Sequence, residues 1–239
     1  MLLRLPTSVS EAQDCLAEGA VPVGGATLVW AAWQRDGFPA SAMSLRELPE
    51  ANVIGREELG AAVVLAGLDD RVPDVLRRAA ATVGTGAVRR TATVGGNLAG
   101  SALRCLLPPA LVLDARARVL DPAGVRETGL AEAAAGRAVL LGVHWREPVA
   151  AAYRKLPGVD GGAPPLVVAS ALHDGERGPR LRVAVRIGYD VLSEAVDRGN
   201  GAGDALAALR ETPLGGLPPV AWKAVREQVS GLLDRPEGR

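Results

Sequence analysis

Aromatic residues are scarce, at 3% of 239 residues. They are Trp30, Trp33, Phe38, Trp145, Tyr153, Tyr189 and Trp222. The core must therefore be filled mainly by Ala, Val and Leu, and a planar ligand has few side chains to stack on. Cysteine is rarer still: Cys15 and Cys105 stand far apart with no C-x-x-C. That excludes a four-cysteine iron–sulfur cluster within this chain and argues against a disulfide framework. His144 and His173 have no metal-ligand spacing, so no metal site is expected. An excess of one charge is also missing, because 27 Lys and Arg balance 27 Asp and Glu. Neither nucleic acid nor an anionic membrane surface is an expected partner, since both select basic chains. No apolar run approaches membrane-spanning length. The opening MLLRLPTSVSEAQDC turns polar too soon for a signal peptide. A cytoplasmic protein is the default expectation.

What is present is ordinary globular composition, 48% hydrophobic and 23% charged, long enough for one large domain or two to three small ones. Ser8 or Ser10 caps a predicted helix running to about Ala17, with Val9, Ala12 and Leu16 on one face. Ala20–Val23 reads as a short strand, Leu28–Trp33 as a helix, and Ala42–Leu45 as another strand. Asn52–Ile54 and Ala61–Leu65 read as β-like, and Val72–Val83 as helical. Leu106–Leu113 has Pro108-Pro109 placed for a first helical turn. Arg116–Leu120 and Ala138–Val143 read as strands. A boundary is expected near Glu147-Pro148. Beyond it come three β-rich runs, Ala151–Leu156, Leu166–Leu172 and Leu181–Ile187, with the loop GVDGGAPP between the first two. The third alternates apolar and basic residues, as a half-exposed antiparallel strand does. Helices over Ala205–Leu209 and Val220–Leu233 close the chain. Strands followed by helices predict an α+β terminal domain.

The densest chemistry lies in two glycine turns, Val23-Gly24-Gly25-Ala26-Thr27-Leu28 and Thr93-Val94-Gly95-Gly96-Asn97-Leu98. Paired glycines permit positive φ and close backbone approach. Successive amides then face one concavity and bind an anion without a basic side chain. Thr27 and Thr93 add hydroxyls, and Asn97 donates or accepts. Two such turns facing one another would hold a diphosphate. Neither turn is G-x-G-x-x-G, and neither continues into Gly-Lys-Ser/Thr, so the Rossmann and P-loop readings fail on spacing. Taken singly, each turn is more often an ordinary tight bend.

Other residues have plainer readings. Cys105 reads as a buried inert thiol, with a flavin-linked thiol as the alternative. His144 reads as structural and His173 as solvated. Asp69-Asp70 and Glu57-Glu58 read as surface pairs. Trp30 and Trp33 read as core residues, with stacking by Trp30 on a ligand ring as the alternative, and Trp222 reads as core.

The order of motifs adds more. Val23-Gly24-Gly25-Ala26-Thr27-Leu28, then R-x-x-A-T-V-G-G-N-L-A from Arg89 to Ala99, then L-P-P-A-L-x-L-D-A from Leu107 to Ala115, then Tyr153-Arg154-Lys155, resembles the medium, flavin-carrying subunit of the molybdenum hydroxylases. The resemblance runs along nearly the whole chain and is looser at both ends. It implies an α+β, PCMH-type FAD-binding domain over 1–148, with subdomains about 1–50 and 51–148, and a shortened C-terminal α+β domain over 149–239. It implies FAD held by the backbones of Gly24–Leu28 and Thr93–Asn97. Tyr153 and Lys155 match the family's Tyr-x-Lys, which lies near the flavin ring, where a lysine would stabilise negative charge. A solvated strand lysine is the equal alternative. Family members carry Ser-Pro-x-x-Asp where this chain has Ala102-Leu103 and Leu106, and Arg104 is the candidate substitute contact, to phosphate.

Three functions follow as expectations. The first is an FAD-binding electron-transfer subunit whose iron–sulfur and molybdenum-cofactor centres lie on separate chains, passing electrons to an acceptor. The second is a free-standing FAD-dependent oxidase or monooxygenase acting on a small organic molecule. The third is a non-catalytic relative that has lost FAD.

Overall fold

The computed structural model describes residues 1–157, 162–176 and 178–234. The first half of the expected GVDGGAPP loop, residues 158–161, lies outside the described residues. In chain order the elements are β1 (Leu2–Arg4), α1 (Val9–Ala17), β2 (Val21–Pro22), α2 (Val29–Asp36), β3 (Ser41–Met43), β4 (Glu58–Gly60), α3 (Asp74–Ala81) and α4 (Gly86–Arg89). Then follow α5 (Leu107–Val112), β5 (Arg116–Asp121), β6 (Gly124–Gly129), α6 (Leu130–Ala135) and β7 (Val139–His144). The last part holds β8 (Ala150–Lys155), β9 (Val167–His173), β10 (Arg180–Ile187), β11 (Asp190–Asp197), α7 (Ala202–Arg210) and α8 (Pro219–Leu233).

The chain forms two compact units. The first comprises Met1–Val72, Ala80–Leu106 and Ala115–Trp145. It opens with a small parallel sheet in the order β1-β3-β2. The helix α1 connects β1 to β2. Ser8 caps it by accepting from the Glu11 amide, while the Glu11 carboxylate accepts from the Thr7 amide at 2.7 Å. This helix buries Ala12 and Cys15. They join Ala20, Met43, Leu48 and Ala51, and also Leu120 and Leu141 from the second sheet of the unit. One core thus fastens the parallel sheet to an antiparallel sheet of order β4-β7-β5-β6.

Two expectations change here. The runs Asn52–Ile54 and Ala61–Leu65 are not strands; the strand is Glu58–Gly60 between them, and the flanking runs contribute isolated bridges, Ile54 to Leu59 and Val64 to Thr93. At Gly60 in this strand a Cβ would lie 2.2 Å from the Ala51 carbonyl oxygen, so the strand runs against backbone. Trp30 and Trp33 are also not core residues, since α2 buries none of its residues. Trp145 and Trp222 are buried.

The second unit comprises Pro73–Ala79, Leu107–Asp114 and Arg146–Arg239. Its sheet is an antiparallel meander, β8-β9-β10-β11. Val168, Leu172, Leu181, Val183, Val185 and Val196 pack with α7 and α8. The opposite face is covered by α5, which lies against β9, β10 and β11. There His173 bonds the Val112 carbonyl oxygen at 2.7 Å, and Arg182 pairs with Asp114 at 2.8 Å. This corrects the half-exposed reading of β10. Arg180 at the strand's start is exposed, but Arg182 is half-buried and Arg186 is only 1% exposed, one of its guanidinium nitrogens donating to the Pro165 carbonyl oxygen. His173, expected to be solvated, is half-buried for the same reason.

On the helical face, Gln228 Nε2 donates to the Ala152 carbonyl oxygen and to Ser170 Oγ, both at 3.0 Å. Replacing Gln228 by Ala removes both bonds, which costs about 1–3 kcal/mol. A urea titration should show the midpoint of this unit falling accordingly. At the surface, Arg154 hydrogen-bonds Glu227 at 2.5 Å and holds its carboxyl below the usual carboxylate range. A depressed carboxyl contributes stability above its unfolded pKa and loses it as pH falls through the lower folded value. The thermal midpoint of the wild type should therefore exceed that of Glu227→Gln at neutral pH, with the gap closing in acid and narrowing in high salt.

Candidate functional site

The first glycine turn follows β2 directly. The Val23 amide donates to the Met43 carbonyl oxygen at 2.8 Å, tying the turn to the central strand, and the Trp30 amide donates to Ala26, starting α2. Among the described residues the amides of Gly24, Gly25 and Ala26 donate no backbone hydrogen bond. The positive φ belongs to Ala26, at 55°, and not to either glycine. The glycines are required for proximity instead. A Cβ on Gly25 would lie 1.7 Å from the Thr91 carbonyl oxygen, and one on Gly24 would lie 2.3 Å from Thr93 Oγ1. The two turns are therefore in contact.

The second turn is anchored from the other side. Leu65 donates to Ala92, Val94 to Val63, and Gly95 to Ala61, at 2.8–2.9 Å. Thr93 Oγ1 accepts from the Gly96 amide at 3.2 Å. Residues Gly96–Gly100 then form a single π-helical turn, a distortion often found at functional sites. The Asn97 side chain points inward and accepts from the Leu106 amide at 2.8 Å. The amides of Gly95 and Gly96 are thus engaged within the protein. Amides without a backbone partner, expected equally of both turns, are those of the first turn, while the second presents the Thr93 hydroxyl.

Both turns line one cleft of about 690 Å³ within the first unit, a size usual for small-molecule and cofactor sites. Val23, Gly24, Gly25 and Ala26 form part of its wall, as do Thr93, Gly95 and Gly96. Thr27, Leu28, Val94, Asn97 and Arg104, all expected at the cofactor, do not line it. Val94 and Asn97 are turned into the interior, and Leu28 is 58% exposed. Arg104 is half-buried in a left-handed conformation, φ 41°, and its Nε has no hydrogen-bond partner. Leu106, at the family's aspartate position, is a fully buried core side chain. Cys105 is buried and forms no disulfide among the described residues. Tyr153 and Lys155 are half-buried residues of β8 in the second unit.

Sequence reasoning missed several residues of the cleft. Arg46, Arg90 and Arg137 line it against a single acid, Glu47. Arg46 faces Glu47 at 3.7 Å, while Arg90 and Arg137 form no ion pair among the described residues. Arg90 lies within the quoted motif and was discoverable there. Its neighbour Arg89, the motif's own arginine, instead donates to the Val83 and Gly84 carbonyl oxygens and closes the turn before α4. Arg137 has a left-handed backbone, φ 50°, that no sequence signal announces. Trp30 and Trp33 form another part of the wall. Glu127 holds the other exposed cluster, bonded to Arg116 at 2.6 Å and His144 at 2.9 Å. Both bonds, Arg116's first, keep its carboxyl below the usual range, but the cluster is not part of the cleft. Among the described residues no group of three or more His, Cys, Asp or Glu is placed to hold a metal ion.

The fold is shared with chains of solved oxidoreductases. Quinoline 2-oxidoreductase from Pseudomonas putida 86 matches with a TM-score of 0.72 at 18% identity, over 97% of this chain and 95% of that one. A Cu,Mo-CO dehydrogenase in its cyanide-inactivated form matches with a TM-score of 0.74 at 17% identity, over 98% and 96%. Reconstituted CO dehydrogenase from Oligotropha carboxidovorans matches with a TM-score of 0.76 at 17% identity, over 97% and 98%. No curated protein matches the sequence. Both glycine turns of the cleft fall within residues 3–139, more than half of the chain, which match the family model of the FAD binding domain in molybdopterin dehydrogenase, and the chain belongs to that family.

Proposed function

We propose that this chain is the FAD-carrying, electron-transfer subunit of a molybdenum-hydroxylase-like dehydrogenase, with FAD seated in the glycine-walled cleft. The observation that carries this reading is the contact between the two glycine turns at the wall of that cleft, where a Cβ on Gly25 would overlap the Thr91 carbonyl. Turns packed this closely hold the first turn's amides at the cleft wall, which suits a ligand group that binds main-chain donors, and a diphosphate is such a group. The amides of Gly24, Gly25 and Ala26 supply donors, the Thr93 hydroxyl adds another, and Arg90 and Arg137 supply uncompensated positive charge. When bound, FAD supplies the redox chemistry. The chain's own residues bind and orient it. Tyr153 and Lys155 stay assigned to the flavin ring on the Tyr-x-Lys resemblance alone.

The subunit reading has separate support. With two cysteines the chain lacks the ligands of a four-cysteine cluster. One enzyme whose chain shares the fold over almost its full length is named as a copper- and molybdenum-containing CO dehydrogenase. Iron–sulfur and molybdenum-cofactor chains are therefore the partners to seek. A free-standing oxidase would instead turn over a small organic substrate with oxygen and no partner.

Purified chain mixed with FAD should take up about one equivalent and show a bound-flavin spectrum; a chain that stays colourless contradicts the proposal. Gly25→Ala should lower FAD affinity at least about tenfold, since the added methyl pushes the turns apart. Thr93→Val preserves volume but removes both the hydroxyl offered to FAD and the acceptor of the Gly96 amide, so it should weaken FAD by roughly tenfold, with the thermal midpoint read alongside. Arg90→Gln and Arg137→Gln should each weaken binding and flatten its salt dependence, read by titration at two ionic strengths.

A further inference from the structure

The helix α2 is unusual in this molecule. It is eight residues long, buries none of them, and carries two of the four tryptophans. Trp30 is 49% exposed, yet it lines the cleft together with Trp33. A large aromatic residue half in water at a cleft wall does little for folding compared with burial in a core. Its orientation is nevertheless fixed. The Trp30 ring meets Phe38 edge-on with centroids 5.3 Å apart, and Phe38 also touches Trp33 at 6.1 Å. Three of the chain's seven aromatics thus form one cluster after the first glycine turn, with Trp30 and Phe38 exposed and Trp33 half-buried.

We infer that Trp30 is an adenine-stacking residue, its indole forming the ring-binding wall at the adenosine end of the cleft. This rests on the FAD reading above and adds to it a residue and an orientation. The argument is one of reach. The Trp30 amide bonds to Ala26 at 3.0 Å, so the indole rises from the first turn of a helix that begins at the diphosphate cradle. In FAD a single ribose separates adenine from the diphosphate, whereas the longer ribityl chain separates the flavin ring. The ring that meets a side chain one helical turn from the phosphates is the adenine. Stacking on an indole face needs no hydrogen-bond pattern, which suits a cleft that also counts Leu3, Pro22 and Trp33 in its apolar lining. Because Phe38 already holds the indole, little side-chain freedom remains to be lost on binding.

The test compares FAD with ADP, which share adenosine and diphosphate, on the wild-type chain, Trp30→Ala and Trp30→Phe. Affinities are read by calorimetry, ADP by displacement of FAD where it binds weakly, and folding by thermal midpoint. Trp30→Ala should weaken FAD and ADP by the same factor, about tenfold. Trp30→Phe should keep most of the affinity for both. Part of the tryptophan fluorescence quenching that ADP causes should vanish in both variants. Loss of FAD affinity with ADP unchanged would assign Trp30 to the flavin ring and overturn the inference. Unchanged affinity for both ligands in Trp30→Ala would also overturn it, leaving the FAD site intact. A wild-type chain that binds FAD but is not displaced by ADP would refute the adenine assignment. Failure of the wild type to bind FAD at all would instead remove the functional reading on which this one stands.

Discussion

The close approach of Gly25 to the Thr91 carbonyl is the constraint on which the site depends. It joins the turn after β2 to the segment leading into the π-helical turn, and no side chain fits between them. The parallel and antiparallel sheets of the first unit share a core through Ala12, Cys15, Met43, Leu120 and Leu141. That shared core fixes the distance between the turns before any ligand arrives. Amides held in place in this way bind an anion without the reorganisation that a mobile loop requires.

The second turn is rigid because its polar groups are already satisfied. Gly95 bonds to Ala61, Gly96 to Thr93, and Asn97 to Leu106. What remains for a ligand is unequal between the two turns: amides on the first, a hydroxyl on the second, and guanidinium groups at the edges. Leu106 belongs to the same logic. The backbone of Leu106 locks Asn97, and its side chain fills the core. A polar residue there would need its own buried partner.

Much of the fold was legible because its signals are local. Ser8 followed by Glu11 marks a helix start, Pro108-Pro109 suit a first turn, and the apolar stripe of α8 shows at helical spacing. The errors share one cause. β10 reads as half-exposed, but a short helix from a distant part of the sequence, α5, covers its other face. Trp30 and Trp33 read as core by residue type, but α2 lies where no core reaches it. Ala61–Leu65 has strand composition, yet it makes only one bridge, to Thr93. Burial depends on what packs opposite, and periodicity is blind to that.

The sequence by itself determined the kinds of elements, the two double-glycine turns, the balance of charge and the family to which these motifs belong. Tertiary structure alone decided which atoms meet. It turned Asn97 inward, left Arg104 outside the cleft and brought Arg90, Arg137 and Trp30 to its wall. The physical reason is that turn chemistry is set by neighbours along the chain. A binding surface is set by residues far apart in sequence, whose distances are fixed only when the sheets pack.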